Sequence, residues 1–233
     1  MLALADFDAV TFDFYGTVVN WEPEVLTFLQ RWIGPGQGGL SDVELLELYD
    51  SLRQPIQEER PAWRYPEVLK RTLDAMAEAL SCPLPQALRA AFGEIAATHQ
   101  PFADSVATIN ALRQRGLVTG VLSNIDEMSF SKNLKMIELN FDLVVTAERV
   151  GSYKPDLTHF LAALSDLRAL GIEQDRVLHI AQSRYADIAP CNHLDLNCVW
   201  VDRSGHVFGR HGKTSIDAEP TLTVPDLQSL LLL

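Results

Sequence analysis

Cysteine is scarce in this 233-residue chain: Cys82, Cys191 and Cys198 make an odd set with no C-x-x-C pair. That argues against a disulfide framework and a structural zinc site, and leaves buried, reduced thiols as the expectation. Long apolar runs are missing as well. No stretch approaches the roughly 20 residues that a membrane-spanning helix needs, and Leu230 to Leu233 is too short for an anchor. The amino terminus, Met1 to Asp6, has no basic region and meets an acid too early for a signal peptide, so a cytoplasmic location is expected. Basic residues are outnumbered 19 to 31, for a formal charge of −12. This balance argues against a nucleic-acid or membrane-surface partner but leaves room for a small anionic substrate held by one local cation.

What is present begins with the apolar run Phe7, Ala9, Val10, Phe12, which reads as a strand and delivers Asp13 into the turn Phe14-Tyr15-Gly16-Thr17. A carboxylate placed there stands at the carboxyl edge of a sheet, where open α/β folds hold their ligands. Asp13 is therefore a candidate nucleophile. The pattern then turns helical for about eighty residues by periodicity. Asn20 is the expected cap of a first helix with Pro23 in its first turn and Val25, Leu26, Leu29 and Trp32 on one face. The glycine-rich run from Gly34 to Gly39 follows no strand and matches no phosphate-binding loop, so it reads as a linker. Ser41 with Glu44 forms a capping-box signature ahead of Leu45, Leu48, Tyr49 and Leu52. A third helix is expected from Pro66, with Leu69, Leu73, Met76 and Leu80 buried, and a fourth from Ala87 to Ala97. Such a run of helices reads as a lobe inserted after the first strand.

An α/β rhythm resumes at Asp104, the expected cap of a helix through Ile109 and Leu112 that ends at Gly116. Apolar runs follow at 117–122, 141–145, 177–181 and 198–201 with helical segments between them. With the strand before Asp13 they make five, alternating with helices as a doubly wound parallel sheet requires. In the tail, His206 and His211 suit a surface turn better than a metal site. The last leucines are expected to pack a terminal helix onto the core.

Three further polar sites fall at the predicted active edge: Ser123-Asn124 after the second of these strands, Lys154-Pro155-Asp156 in the loop after the third, and Asp187 shortly after the fourth. Each has an ordinary reading when taken alone. Ser123 can cap a helix, Lys154 can be a solvated lysine, and Asp187 can pair with Arg184 on the surface. Taken together, the aspartate in D-x-Y-G-T, the serine-asparagine pair, K-P-D and the late aspartate resemble, in that order, the haloacid dehalogenase superfamily of hydrolases. The resemblance covers nearly the whole chain. It implies an α/β core of residues 1–17 and 100–233 with a doubly wound, Rossmann-like parallel sheet, and a helical cap of residues 18–99.

Most members of that superfamily are magnesium-dependent phosphatases with a second aspartate two residues after the nucleophile. Here that place is Tyr15, a poor substitute for an acid that must cycle its proton. Around the fourth motif, Ala181 to Asp187 offers one acid and an arginine, which suits magnesium badly, so no metal or other cofactor is expected. Tyr15, Asn20-Trp21-Glu22 and His179-Ile180-Ala181-Gln182-Ser183 resemble instead the type II, (S)-2-haloacid dehalogenases. That resemblance implies an ester between Asp13 and the substrate carbon that bore the halogen, opened afterwards by water. It further implies that Thr17 orients Asp13, that Ser123 and nearby amides hold a small carboxylate substrate beside Tyr15, that Lys154 supplies positive charge to both carboxylates, that Asn124 helps receive the halide, and that Asp187 fixes Lys154 and helps position the hydrolytic water. Asp13 is expected to stay ionised beside Lys154, since a neighbouring cation favours the charged form. The family's cap arginine has Arg53 as its nearest counterpart, with Arg60 and Arg64 behind it. The family's tyrosine after K-P-D is Phe160 here, and its polar pair near the late aspartate is Gln182 and Arg184. A homodimer through the cap is a further expectation by resemblance. The alternatives are a phosphatase with atypical motifs and a non-catalytic, ligand-binding relative.

Overall fold

The computed structural model describes residues 2–34, 39–203 and 217–233. Its centre is β1 (Ala9–Phe12), every residue of which is buried. Six strands form one sheet in the order β5 (Leu143–Thr146), β4 (Val118–Ser123), β1, β6 (Val177–Ala181), β7 (Cys198–Val201) and β8 (Leu222–Val224), each neighbour pair parallel. Since β1 pairs with β4 on one side and β6 on the other, the chain reverses its direction of winding there. The crevice beyond the carboxyl end of β1 is thus the topological switch point of a doubly wound sheet.

The period-two alternation of strand side chains divides the core between the two faces. Val10, Phe12, Val121, Leu178 and Ile180 join Ile109 and Leu112 of α5 (Ser105–Gln114). Ala9, Leu122, Val145 and Val177 join Phe160, Ala163 and Leu167 of α8 (Thr158–Ala169). The sheet is one strand wider than the five expected. β8 is only three residues long and partly exposed, too little pattern for periodicity to register.

The helical stretch after β1 is bracketed by a short antiparallel ribbon, β2 (Val19–Asn20) with β3 (Gln100–Pro101), which brings its two ends together. Asn20 therefore belongs to a strand and caps nothing. Helix α1 (Glu22–Ile33) starts after Trp21 without a side-chain cap. The capping box at Ser41 and Glu44 forms as expected and opens α2 (Asp42–Glu58), which runs on through Pro55. Helix α3 (Tyr65–Ala79) carries Pro66 in its first turn and buries Leu69, Leu73 and Met76. The expected fourth helix is shorter, α4 (Gln86–Phe92), then a 3-10 turn Ile95–Thr98. The break falls at Gly93, where a Cβ would stand 2.6 Å from Cε of Lys70.

Asp104 precedes α5 but does not cap it with its side chain. Its carboxylate instead pairs with Arg203 at 3.0 and 3.1 Å and accepts from the Leu227 amide. Gly116, at φ +89°, ends that segment as expected. The chain closes in a helix of 3-10 type, Gln228–Leu232, that packs the buried Leu230 onto the core, as expected of the last leucines. His206, His211 and most of the glycine-rich linker lie outside the described residues. The cysteines are free; Cys191 and Cys198 are buried, and Cys82 is only partly so. Among the described residues no helix is long and apolar enough to cross a membrane.

Candidate active site

Asp13 leaves β1 directly into a tight turn, in which Gly16 adopts φ +100° and its amide donates to Val19 O at 2.8 Å. That conformation strains any side chain, which is why glycine stands there. The turn sets Thr17 behind Asp13, and its hydroxyl donates to Asp13 Oδ2 at 2.7 Å. The Thr17 hydroxyl oxygen in turn accepts from the Gln182 amide at 2.8 Å, tying the end of β1 to the end of β6. From the other side Lys154 Nζ donates to Asp13 Oδ1 at 2.9 Å, to Leu122 O at 2.8 Å and to Asp187 Oδ1 at 2.6 Å. All three ammonium donors are thereby placed. Asp187 follows β6 in a single π-helical turn, Arg184–Ile188, and is fully buried.

This buried row continues behind the pocket. His179 Nε2 lies 3.1 Å from Asp187 Oδ1, and its Nδ1 lies 2.9 Å from the Thr11 hydroxyl. Phe160 stands edge-on to the His179 ring. Burial is the largest influence on Asp13; aided by Asp187, it lifts the carboxyl above the ordinary aspartate value against the pull of Lys154 and Thr17. Lys154 does favour the charged form, as expected, but it does not bring the carboxyl below its ordinary value. Burial works on Asp187 too, but Lys154 and His179 outweigh it and hold that carboxyl low. For Lys154, burial opposes the charge and the two aspartates win, keeping the ammonium above the usual lysine value. The ordinary readings of Lys154 and Asp187 fail: the lysine side chain is 1% exposed, and Asp187 forms no pair with Arg184.

A cavity of about 250 Å³ opens over Asp13, between the carboxyl edge of the sheet and the helices after β2. Of the sequence-predicted residues, Asp13, Tyr15, Arg53, Ser123, Asn124, Lys154 and Asp187 line it, while Thr17 sits behind Asp13. Ser123 caps no helix. Its hydroxyl is buried without a partner among the described residues, an atom left for a ligand. Asn124 clasps the backbone of Lys154, donating to its carbonyl at 3.1 Å and accepting from its amide at 2.7 Å. It aims the lysine as well as lining the cavity. Tyr15 donates to Ala96 O at 3.3 Å, and burial raises its pKa well above the usual phenol value.

Arg53 projects from α2 into the cavity, bonded to Asp50 at 2.5 Å and Gln57 at 3.1 Å. Its side chain is 11% exposed; those of Arg60 and Arg64 are 48% and 65% exposed and pair with Asp156 and Glu148. Of the three arginines named as counterparts of the family's cap arginine, Arg53 is the one that lines the cavity. The aromatic wall of Trp21, Tyr49, Tyr65 and Trp200, together with His99, went unrecognised. These side chains come from five separate segments, and of them only Trp21 lies in one of the motifs quoted above.

A divalent cation fits this donor set poorly. Both Asp13 oxygens are engaged by Lys154 and Thr17, the ammonium already bridges the two aspartates, and only Asp187 Oδ2 is left over. Among the described residues no three His, Cys, Asp or Glu side chains are grouped to hold a metal.

The family model for haloacid dehalogenase-like hydrolases matches residues 7–190. A haloacetate dehalogenase of Moraxella sp. (strain B) is 24% identical over 237 residues, covering 96% of both chains. An (S)-2-haloacid dehalogenase of Pseudomonas putida is 25% identical over 132 residues, 56% of this chain and 54% of that one. Among solved structures, the L-2-haloacid dehalogenase of Xanthobacter autotrophicus with chloropropionic acid covalently bound superposes with a TM-score of 0.78 at 18% identity, covering 96% of each chain. That likeness establishes the shared fold, an α/β sheet with a helical region.

Proposed function

Because the chain belongs to the haloacid dehalogenase-like hydrolases, we propose that it acts as a 2-haloacid dehalogenase of the (S) type, breaking the carbon–halogen bond of a short 2-haloalkanoic acid. The observation that carries this reading is the Asp13 carboxylate, held from two sides by Thr17 and Lys154 on the cavity floor, with a phenol and not an acid two residues on. An Asp13 oxygen attacks the carbon bearing the halogen. The carbon–halogen bond breaks, the halide leaves with the bonding pair, and an aspartyl ester remains. No leaving-group proton is required, which agrees with Tyr15, whose pKa lies far above neutrality. Arg53 receives the halide, and the unpartnered Ser123 hydroxyl takes the substrate carboxylate. Water near Asp187 Oδ2 then attacks the Asp13 carbonyl and releases a 2-hydroxy acid. In this reading residues 18–99 are a cap over a core of residues 1–17 and 100–233, and the cap supplies Arg53.

A single turnover with 2-chloropropionate in heavy-oxygen water, followed by peptide mass analysis, tests the mechanism. Label is expected in the Asp13 peptide, and its absence despite halide release rules out hydrolysis of an aspartyl ester. Phosphate release from an aryl phosphate with magnesium, in place of halide release, would make the protein a phosphatase. Release of neither would leave a binding protein.

A further inference from the structure

Arg184 is the one cavity-lining cation among the described residues with no carboxylate partner. The charge on Arg53 is met by Asp50, and that on Lys154 by Asp13 and Asp187. Arg184 lines the same cavity, stacks over the Trp200 ring at 5.2 Å, and uses Nη2 on Ala218 O at 2.6 Å. Its Nε is buried and bonded to nothing among the described residues. The segments outside the described residues contain no Asp or Glu to supply a missing partner. A guanidinium stacked on an indole keeps its in-plane donors aimed and is preorganised for a planar anion. A buried donor left unmade is costly unless a ligand completes it.

We propose that Arg184 forms a second carboxylate subsite, so that the preferred substrate class is a short 2-halodicarboxylic acid. This rests on the reading above: once Ser123 serves the carboxylate next to the reacting carbon, Arg53 the halide and Lys154 the two aspartates, Arg184 is left over for a further anion. Arg184 reaches the cavity from the turn after β6 and Arg53 from α2, so the two guanidinium groups come from different elements.

Halide release from 2-chlorosuccinate and 2-chloropropionate, compared as kcat/KM for the natural protein, Arg184→Gln and Arg184→Lys, tests the proposal. A preference for the dicarboxylate of about tenfold or more is expected. Arg184→Gln should erase it mainly through KM, while Arg184→Lys retains part. Equal or lower kcat/KM for chlorosuccinate, or a ratio unmoved by Arg184→Gln, overturns it. Calorimetric binding of succinate against propionate separates the two readings. Succinate bound more tightly in an Arg184-dependent way, without halide release, would sink the dehalogenase reading and leave the subsite standing. Succinate bound no better than propionate would sink the subsite even in an active dehalogenase. Melting curves of both variants identify any loss that is merely unfolding.

Discussion

Asp13 sits between opposing influences, and their order of size has a kinetic consequence. Burial and Asp187 push its pKa above the ordinary aspartate value of 3.8, while Lys154 and Thr17 pull the other way without prevailing. As the proposed nucleophile Asp13 must be ionised, so activity is expected to fall as pH drops through this raised value. The acid limb of kcat/KM, which reports the free enzyme, is therefore expected at a pH above 3.8, with a tenfold fall per unit below it. The Thr17 hydrogen bond lowers the Asp13 pKa, so Thr17→Val should move the limb further up. A pH–rate profile checks both, and a limb at or below 3.8 would contradict the dominance of burial. Asp13, Lys154 and Asp187 were each legible from their place after a strand. The direction of the Asp13 shift was not, because it depends on how completely the folded chain excludes water.

At the scale of elements, local pattern carried much of the secondary structure. The Ser41–Glu44 capping box and the Leu69, Leu73, Met76 stripe form as the sequence reads, because both are interactions within one helix or along one face of it. They differ in what they contribute. Ser41→Ala, at an exposed helix start, should cost about 1 kcal/mol. Met76→Ala, at a site with no solvent exposure, should cost about 2–5 kcal/mol through lost burial and a residual cavity. Urea unfolding of the two variants ranks them, and the reverse order would show that α3 is not anchored by its buried stripe. The misread elements were those governed by partners far along the chain. Asn20 is drawn into a ribbon with Gln100, and Asp104 turns from its own helix to Arg203, 99 residues away. No window of local periodicity contains those partners.

For the molecule as a whole, the strand order β4-β1-β6 brings together side chains separated by more than 140 residues, placing Lys154 between Asp13 and Asp187. An ammonium already occupies the position where those carboxylates converge, so halide release is expected to proceed unchanged in excess chelator. Loss of activity on chelation and recovery with magnesium would overturn that arrangement. The parallel sheet, its switch point and the acidic and basic residues at its carboxyl edge were determined by the sequence alone, since alternating apolar runs and helices permit few other topologies. Only the tertiary structure decided that Arg53 faces the cavity while Arg60 and Arg64 face solvent, and that Arg184 stacks on Trp200 with no carboxylate partner among the described residues. The physical reason is that a side chain's charge partners and hydration are set by elements that meet through packing, whereas strands and helices are set mainly by neighbours along the chain.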